Sequence, residues 1–578
     1  MQRRVWEDVP CDADHVQAMA QAIGVPPVIA RLLCQRGFHD PDTARLFLTP
    51  DMSQLLDPYR LKDMREAVDR LMGAIARNEL IAIHGDYDVD GITATVILRR
   101  AIELLGGSVI HFVPDRLKDG YGLQPATIER LHARGARVIV SVDCGIRATE
   151  AALRARELGL DLIITDHHEP EAGLPPALAV INPKRPDCSY PDKMLAGVGV
   201  AFKLVQALLT ASGRGAEWLP HFVKIAAIGT LADVVPLVGE NRVLAHCGLG
   251  ALSLGPHGAG LEALLAESGL LGKQLDSFHV SFVLAPRLNA AGRMSTPDLA
   301  LDLLLMRGRT DEVRARARDL ARQLSAENTK RQEQELAILT EAKRSVDRDP
   351  NVGAHNMLIV AGDGWHRGVL GIVASKLAET YHKPTLVLSI EDGLARGSGR
   401  SIPGFDLLAS LESCAEIFLQ FGGHRQAAGV TLEACRLDEL RQRLTARANE
   451  ALSPEDLVPR LRIDSPLSLG EISGAVVQAL LRLGPFGSAN PKPVFRASPI
   501  DLIAAPRKLK ERHLSLMVKQ GSRSFRAMAW RAGERAEYLT ANRLGLELAY
   551  SLEESDYRGE RTTELTVADI RLPAGALA

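Results

Sequence analysis

A chain of 578 residues is too long for a single hydrophobic core and should divide into three or four domains. Its formal net charge of −2 excludes binding of nucleic acid through a global basic field and leaves only a local basic surface for that role. Hydrophobic residues make up 46%, charged residues 24% and aromatics 4%, as in an ordinary globular enzyme, and seven dispersed cysteines with no C-x-x-C pair argue against structural zinc and against a disulfide framework.

The N-terminus lacks the apolar stretch of a signal peptide, and no segment approaches about 18 uninterrupted apolar residues, so a cytoplasmic protein without membrane contact is expected. Residues 1–55 read as a helical segment with turn signals and no assignable chemistry. From 56 to 310 helix and strand alternate: Met64–Arg77 is amphipathic, Ile81–Ile83 is a strand and Thr93–Leu105 a helix. Val109–Val113, Val138–Val142, Leu162–Thr165 and Ala179–Asn182 are further β-rich runs, and Phe222–Leu231 is an apolar helix ending just before Asp233. Such alternation predicts a mostly parallel sheet with crossover helices. Residues 311–346 contain no Gly or Pro and are rich in Arg, Glu, Ala and Leu, which predicts one long connecting helix. Strands at Met357–Ala361 and Thr385–Ser389, with helices at Val369–Glu379 and Phe405–Glu412, make residues 347–452 a smaller α/β domain. Residues 453–578 alternate apolar and polar positions in His513–Val518, Phe525–Trp530, Leu546–Leu552 and Glu564–Ile570, as in an OB-type β-barrel. The fold class is therefore α/β followed by a small β-domain.

Chemistry concentrates where the predicted parallel strands end. Asp86, Asp88 and Asp90 follow the first strand at a spacing of two, which in extended backbone puts their side chains on one side. Asp143 follows Val138–Val142, and Asp166-His167-His168 follows Leu162–Thr165. One aspartate would cap a helix; three within five residues, repeated at other strand ends, exceed that need. Clustered carboxylates require positive charge among them, and two divalent metals about 3.5–4 Å apart suit phosphoester hydrolysis. Elsewhere, Arg116 follows a predicted strand, and Arg287 and Arg293 flank Asn289. A guanidinium suits phosphate, although for any lone arginine an ordinary surface role is the better reading. Ala395–Ser401 and Gly422–Gly429 are Gly-rich and basic, read as loops that offer N–H groups to an anion. Arg507, Lys508, Lys510, Arg512, Lys519, Arg523 and Arg526 stand against the single acid Glu511, a pattern that fits a basic groove or a solvated hairpin about equally.

The runs HGDYDVDG, VDCG and TDHHEP, in that order, resemble the signature motifs of the DHH phosphoesterase superfamily, and from about residue 60 onward the chain is similar to its single-strand-specific 5′→3′ DNA exonucleases. The resemblance implies a parallel-sheet DHH domain, a DHH-associated domain across a cleft, and an OB-like domain that binds nucleic acid. It implies two Mn²⁺ or Mg²⁺ ions, one held by Asp86, Asp88 and Asp143 and the other by Asp90, Asp143, His167 and Asp233, with Asp143 bridging. His168 would reach a metal or donate to the scissile phosphate, and His84 stays open as a ligand. Arg116, Ser398 and Arg400 would seat a 5′-phosphate, Arg287, Asn289 and Arg293 would contact the backbone, and His424 would act near the scissile bond. The implied reaction releases 5′-mononucleotides from single-stranded DNA in recombination and repair, by a monomer working with a helicase and single-strand-binding protein. Two alternatives remain: the same chemistry on oligoribonucleotides or cyclic dinucleotides, disfavoured by the extra residues beyond about 455, and a metal-free binding scaffold, disfavoured by the intact acids.

Overall fold

The computed structural model describes residues 4–115, 122–348, 355–557 and 560–573. The first strand, β1 (Val5–Asp8), does not belong to the domain that follows it in the chain: it pairs in parallel with Arg460–Ile463. The helices that follow, Ala13–Ile23, Pro27–Gln35 and Pro41–Leu48, bury Ile29, Leu32, Leu33 and Phe47 in one core with residues 467–570. Residues 5–48 are thus part of the C-terminal body, while Met52 and Leu55 pack against the core of the parallel-sheet domain.

Five strands form the central sheet: β2 (Ile81–Gly85), β3 (Val109–Phe112), β4 (Val138–Val142), β5 (Asp161–Thr165) and β6 (Ala179–Ile181). All neighbours are parallel and their spatial order is β3-β2-β4-β5-β6. Parallel strands are covered on both faces, which is why β2 and β4 are unbroken apolar runs and wholly buried. Alternate residues serve different layers: Val138, Val140 and Val142 face the helices Val89–Leu104 and Gly197–Ala211, whereas Ile139 faces Pro125–Ala133 and Thr149–Glu157. The chain passes from β2 to β3 on one side and then to β4 on the other. The C-terminal ends of β2 and β4 therefore flank a topological switch point, where open α/β sheets leave a crevice.

The helix Asp311–Arg348 is continuous over 38 residues, about 57 Å at the rise of an α-helix. Its first half buries Ala317, Leu320, Ala321 and Leu324 in the core of the parallel-sheet domain, and its second half buries Ile338, Ala342 and Val346 in the next domain. That domain has a five-stranded sheet of β7 (Leu358–Asp363), β8 (Thr385–Glu391), β9 (Leu394–Arg400), β10 (Phe418–His424) and β11 (Ala427–Glu433), in the order β10-β11-β9-β8-β7. The two Gly-rich segments expected as anion-binding loops are thus strands. Their glycines admit neighbouring backbone: a Cβ on Gly397 would stand 2.2 Å from the Val387 carbonyl oxygen.

After β12 (Arg460–Ile463) come β13 (Ser465–Pro466), β14 (Phe495–Leu502), β15 (Arg507–Leu509), β16 (His513–Gln520), β17 (Arg523–Ala529), β18 (Leu546–Tyr557) and β19 (Glu560–Arg571). β14, β18, β19, β17 and β16 close into a five-stranded barrel through the β14–β16 pairing. Among the described residues no single helix is long and apolar enough to cross a membrane.

Candidate active site

The turn after β2 brings three carboxylates into a small space by a route different from the one the sequence spacing suggests. The helix begins at Val89, four residues earlier than expected, so Asp90 lies in its first turn rather than in extended backbone. Asp86 is buried and its Oδ1 accepts the Tyr87 N–H at 2.8 Å. Asp88 is the N-cap, its Oδ1 accepting from Asp90 N at 3.0 Å and Gly91 N at 3.2 Å. Gly91 is required because a Cβ there would meet Asp86 N and O at 2.5 Å. The Asp90 carboxylate sits on the N-terminus of the helix Gly197–Ala211, accepting from Gly197 N and Val198 N, each at 2.7 Å.

Asp143, the residue after β4, adopts φ +62°, a conformation that L side chains rarely take. Its N–H still donates to Thr165 O at 2.9 Å, so the sheet holds the strained residue in register. The turn points its carboxylate inward, and among the described residues the buried Asp143 Oδ1 has no hydrogen-bond partner. From the end of β5, His167 Nε2 stands 3.3 Å from Asp143 Oδ1, 3.7 Å from Asp233 Oδ2 and 3.9 Å from Asp90 Oδ2. Asp233, the residue that ends the helix Pro220–Ala232, is carried there from a remote part of the sequence.

Asp166, read from sequence as part of the strand-end cluster, organises the two histidines rather than joining a donor group among the described residues. Its Oδ1 accepts from His167 N at 2.7 Å, His168 N at 3.1 Å and His168 Nδ1 at 2.7 Å, while Oδ2 accepts from Ile146 N at 2.9 Å. The Asn182 amide donates to His168 O at 2.9 Å. His168 is therefore pinned at Nδ1 and presents Nε2 outward. His84, fully buried and stacked on Phe112, belongs to none of the convergent donor groups among the described residues.

The electrostatics follow from crowding. Burial, then Asp88, pushes Asp86 up to about 8. Burial, then the neighbouring aspartates, raises Asp90 and Asp143 well above the carboxylate range, and Asp233 to about 7. Burial, then the charge of His168, takes His167 down to about 4, leaving a neutral imidazole. Burial would raise Asp166, but the His168 hydrogen bond and charge outweigh it and hold that carboxyl below its ordinary value. For His168 burial acts downward, and the Asp166 bond reverses it, so its pKa is raised.

These donors suit a divalent cation. Asp86, Asp88 and Asp143 offer ligand atoms within 4.8 Å of one another, as do Asp90, His167 and Asp233, and again Asp143, His167 and His168. Carboxylate oxygens with neutral imidazole are the donor set of Mn²⁺ and Mg²⁺ class ions. The orphaned Asp143 oxygen marks where positive charge is needed. A Cβ on residue 197 would lie 2.3 Å from that same atom, so Gly197 leaves the carboxylate its room.

Beside this centre opens a cleft of about 640 Å³, lined by Tyr87 from the catalytic turn and by Arg367, Ser398, Arg400, Gly422 and His424 of the second domain. The sequence motifs give Tyr87 and Arg367 no role of their own, and the fold puts both in the cleft wall. His424 is exposed at the end of β10. Three of the expected phosphate contacts are already engaged by the protein. Arg287 donates to Val283 O at 2.7 Å and Ser325 Oγ at 3.3 Å; Asn289 Oδ1 accepts from Val89 N at 3.1 Å; Arg293 Nη1 donates to Gly368 O at 3.0 Å. All three lie on the helix Ala285–Met294: Arg287 and Asn289 bond to neighbouring elements of the first domain and its long helix, and Arg293 reaches across to Gly368 of the second domain. Arg116 lies outside the described residues. In the barrel, Arg526 pairs with Glu564 at 3.2 Å and Arg523 donates to Ile472 O at 3.0 Å, so part of the basic stretch is internal bracing.

Comparison with known proteins agrees with this architecture. The chain matches the DHH family, N-terminal domain, over residues 80–230, the DHHA1 domain over 354–450 and the RecJ OB domain over 463–569. The single-stranded-DNA-specific exonuclease RecJ of Escherichia coli (strain K12) is 36% identical over 569 residues, covering 94% of this chain and 96% of that protein. The Bacillus subtilis (strain 168) protein of the same name is 41% identical over 490 residues, but the chain spans only 61% of its length. The crystal structure of RecJ from Thermus thermophilus in complex with Mn²⁺ superposes with a TM-score of 0.83 at 30% identity, covering 99% of this chain and 80% of that one. The Mg²⁺ complex of that protein gives a TM-score of 0.77 at 29% identity, covering 99% of this chain and 79% of that one.

Proposed function

Because the chain belongs to the RecJ family of DHH phosphoesterases, we infer that it is a metal-dependent exonuclease specific for single-stranded DNA, working from the 5′ end and releasing 5′-mononucleotides. The observation that carries this reading is the meeting of the convergent acids with the cleft of Ser398, Arg400 and His424. Two divalent ions, Mn²⁺ or Mg²⁺, fit the donor groups, one at Asp86, Asp88 and Asp143 and one at Asp90, His167 and Asp233, with Asp143 shared. Bound there, they would supply the Lewis acidity that activates water and offsets charge growing on the phosphate.

The chain's own groups do the rest. Asp166 fixes His168 and favours its protonated form, so Nε2–H is available as a hydrogen-bond donor to a phosphate oxygen beside the acids. Ser398 and Arg400 offer a hydroxyl and a guanidinium to a terminal phosphate. His424 holds the backbone beside the scissile bond. On this reading a single strand threads between Tyr87 and the second domain, in a cleft that admits one strand and not a duplex. The barrel extends the track. A helicase to expose the strand and single-strand-binding protein to present it are the partners this chemistry calls for, in recombination and repair, with the chain acting as a monomer.

The test compares 5′-phosphorylated single-stranded DNA, the matching duplex, the matching RNA and a cyclic dinucleotide as substrates with Mn²⁺, using Asp143→Ala as control. Mononucleotides released only from the 5′ end of single-stranded DNA, and not by the variant, support the reading. Hydrolysis of the cyclic dinucleotide with DNA left intact overturns it in favour of a small-nucleotide phosphodiesterase.

A further inference from the structure

A second group of metal-ligating side chains lies in the N-terminal helices, in a different core from the carboxylate centre. Cys11 immediately precedes Asp12, the N-cap of Ala13–Ile23, and His15 stands one helical turn beyond Cys11. The Asp12 carboxylate accepts from Asp14 N at 3.0 Å and His15 N at 3.4 Å, which fixes the helix start and the base of His15. Cys34 is buried near the end of Pro27–Gln35. The chain then turns at Gly37, with φ +86°, and Phe38 N donates back to Leu33 O at 3.1 Å. His39 follows, directly before Asp40, the N-cap of Pro41–Leu48. Two helix ends are thus folded against each other, each carrying one cysteine and one histidine.

The result is compact. His15, Cys34 and His39 offer ligand atoms that all lie within 4.8 Å of one another. His39 Nδ1 and His15 Nε2 are 3.4 Å apart, with ring centroids at 5.3 Å. Cys11 acts on the Cys34 thiol from outside that group of mutually close donors. Two imidazole nitrogens on neighbouring corners of a tetrahedron, each about 2.0–2.1 Å from a central cation, stand roughly 3.3–3.4 Å apart. That matches the 3.4 Å between His39 Nδ1 and His15 Nε2. A mixed thiolate and imidazole donor set selects zinc over Mg²⁺ or Mn²⁺, which prefer oxygen. The exposed face of His39 gives an entry path. We propose that Cys34, His15 and His39, with Cys11 as fourth ligand, form a structural zinc-class site that clamps the N-terminal helices.

Position gives the clamp its purpose. The residues flanking Cys34 hold the C-terminal body: Arg31 and Gln35 both donate to the Asp464 carbonyl, at 3.1 Å and 2.8 Å, and to the Val9 carbonyl, at 2.9 Å and 3.2 Å. A cation at Cys34 would stiffen the helix end that carries these bonds. The sequence argument against zinc rests on the missing C-x-x-C, and the fold answers it by joining a C-x₃-H to a C-x₄-H.

The test is titration of the full chain with Co²⁺ after metal stripping in a phosphine reductant. The carboxylate centre contains no thiolate, so a thiolate-to-cobalt charge-transfer band reports the proposed site alone. The expected result is a band that saturates at one equivalent and is displaced by Zn²⁺. It should vanish in Cys34→Ser and halve in Cys11→Ser. Since Cys34 is buried and its replacement could disturb folding, the exposed His39→Ala supplies an independent arm, with affinity for Co²⁺ lowered at least tenfold and the melting of the metal-free chain unchanged. Absence of the band in the wild-type chain overturns the site, as does a band unchanged in both Cys34→Ser and His39→Ala.

Discussion

Asp143 is the residue on which the chemistry turns, because it is strained, buried and shared between donor groups. Its neighbour Gly197 gives a test that leaves every ligand in place. Gly197 is the first residue of the helix Gly197–Ala211 and its φ lies outside the left-handed region, so alanine there brings no backbone strain to the helix. Its Cβ would nevertheless stand 2.3 Å from Asp143 Oδ1 and displace that carboxylate. The expected outcome is Mn²⁺ affinity reduced roughly 10–100-fold, as for other perturbed supports of metal ligands, read by metal titration of DNA hydrolysis beside melting of the metal-free chain. Protonation provides a second test at this scale. Asp86 is raised to about 8 and Asp233 to about 7, with Asp90 and Asp143 also raised, so between about pH 6.5 and 8 the native state binds more protons than the unfolded chain. The raised His168 acts in the same direction there, while His167, lowered to about 4, opposes only below about 6.5. Metal-free protein should therefore lose stability as pH rises through that window, by up to about 1.4 kcal/mol per unit for each such group. Added Mn²⁺ should restore more at pH 8 than at pH 6.5. Thermal melting in chelator and in Mn²⁺ checks it, and a metal-free chain that gains stability across the window would refute the crowding argument.

The hairpin of β10 and β11 is the element that carries the cleft's far wall, with His424 exposed at its end. Because His424 is exposed and belongs to none of the convergent donor groups among the described residues, His424→Ala should lower kcat/KM on single-stranded DNA by about 100-fold, the lower end of the range for a positioned acid or base. Melting temperature and Mn²⁺ affinity should stay unchanged, and steady-state kinetics beside metal titration would show it. The parallel strands β2, β4 and β5 could be read from sequence because strands buried on both faces appear as apolar runs, and their terminal acids stand beside them in the chain. Asp233 could not be read that way, since only the packing of Pro220–Ala232 against Val89–Leu104 brings it to His167. The strands β9, β10 and β11 were hidden for another reason. Glycine normally marks turns, and only the approach of β8, which would put Val387 O 2.2 Å from a Cβ on Gly397, explains glycine inside a strand. Arg287, Asn289 and Arg293 carry the right chemistry for phosphate, and sequence alone gives no sign that each also bonds within the protein, to Val283, Val89 and Gly368.

At the scale of the whole molecule, the first and last segments of the chain form one body and the catalytic domains lie between them. Ile29, Leu32 and Leu33 of the N-terminal helices share a core with Leu480, Leu516 and Leu548. Arg242, from the catalytic half, is buried over the Phe47 ring and donates to the carbonyls of Phe47, Arg482, Leu483 and Gly484. One guanidinium thus ties all three regions, and its burial together with Arg36 lowers its pKa to about 9. This arrangement makes truncation asymmetric. Removing residues after 453 strips the N-terminal helices of their partner and exposes side chains worth about 2 kcal/mol each in burial. Removing residues 1–55 as well takes away the stranded surface. The singly truncated chain should therefore aggregate or melt well below the doubly truncated one, even though it retains more of the protein. Light scattering and thermal melting of the two chains decide the matter. Equal behaviour would mean that the N-terminal helices fold independently of the barrel, against the shared core. Arg242→Met in the full chain should reproduce part of the effect by leaving buried carbonyls unpaired, at about 1–3 kcal/mol for each that water cannot reach. Its signature would be earlier proteolysis between the catalytic half and the barrel with the carboxylate centre still able to bind Mn²⁺.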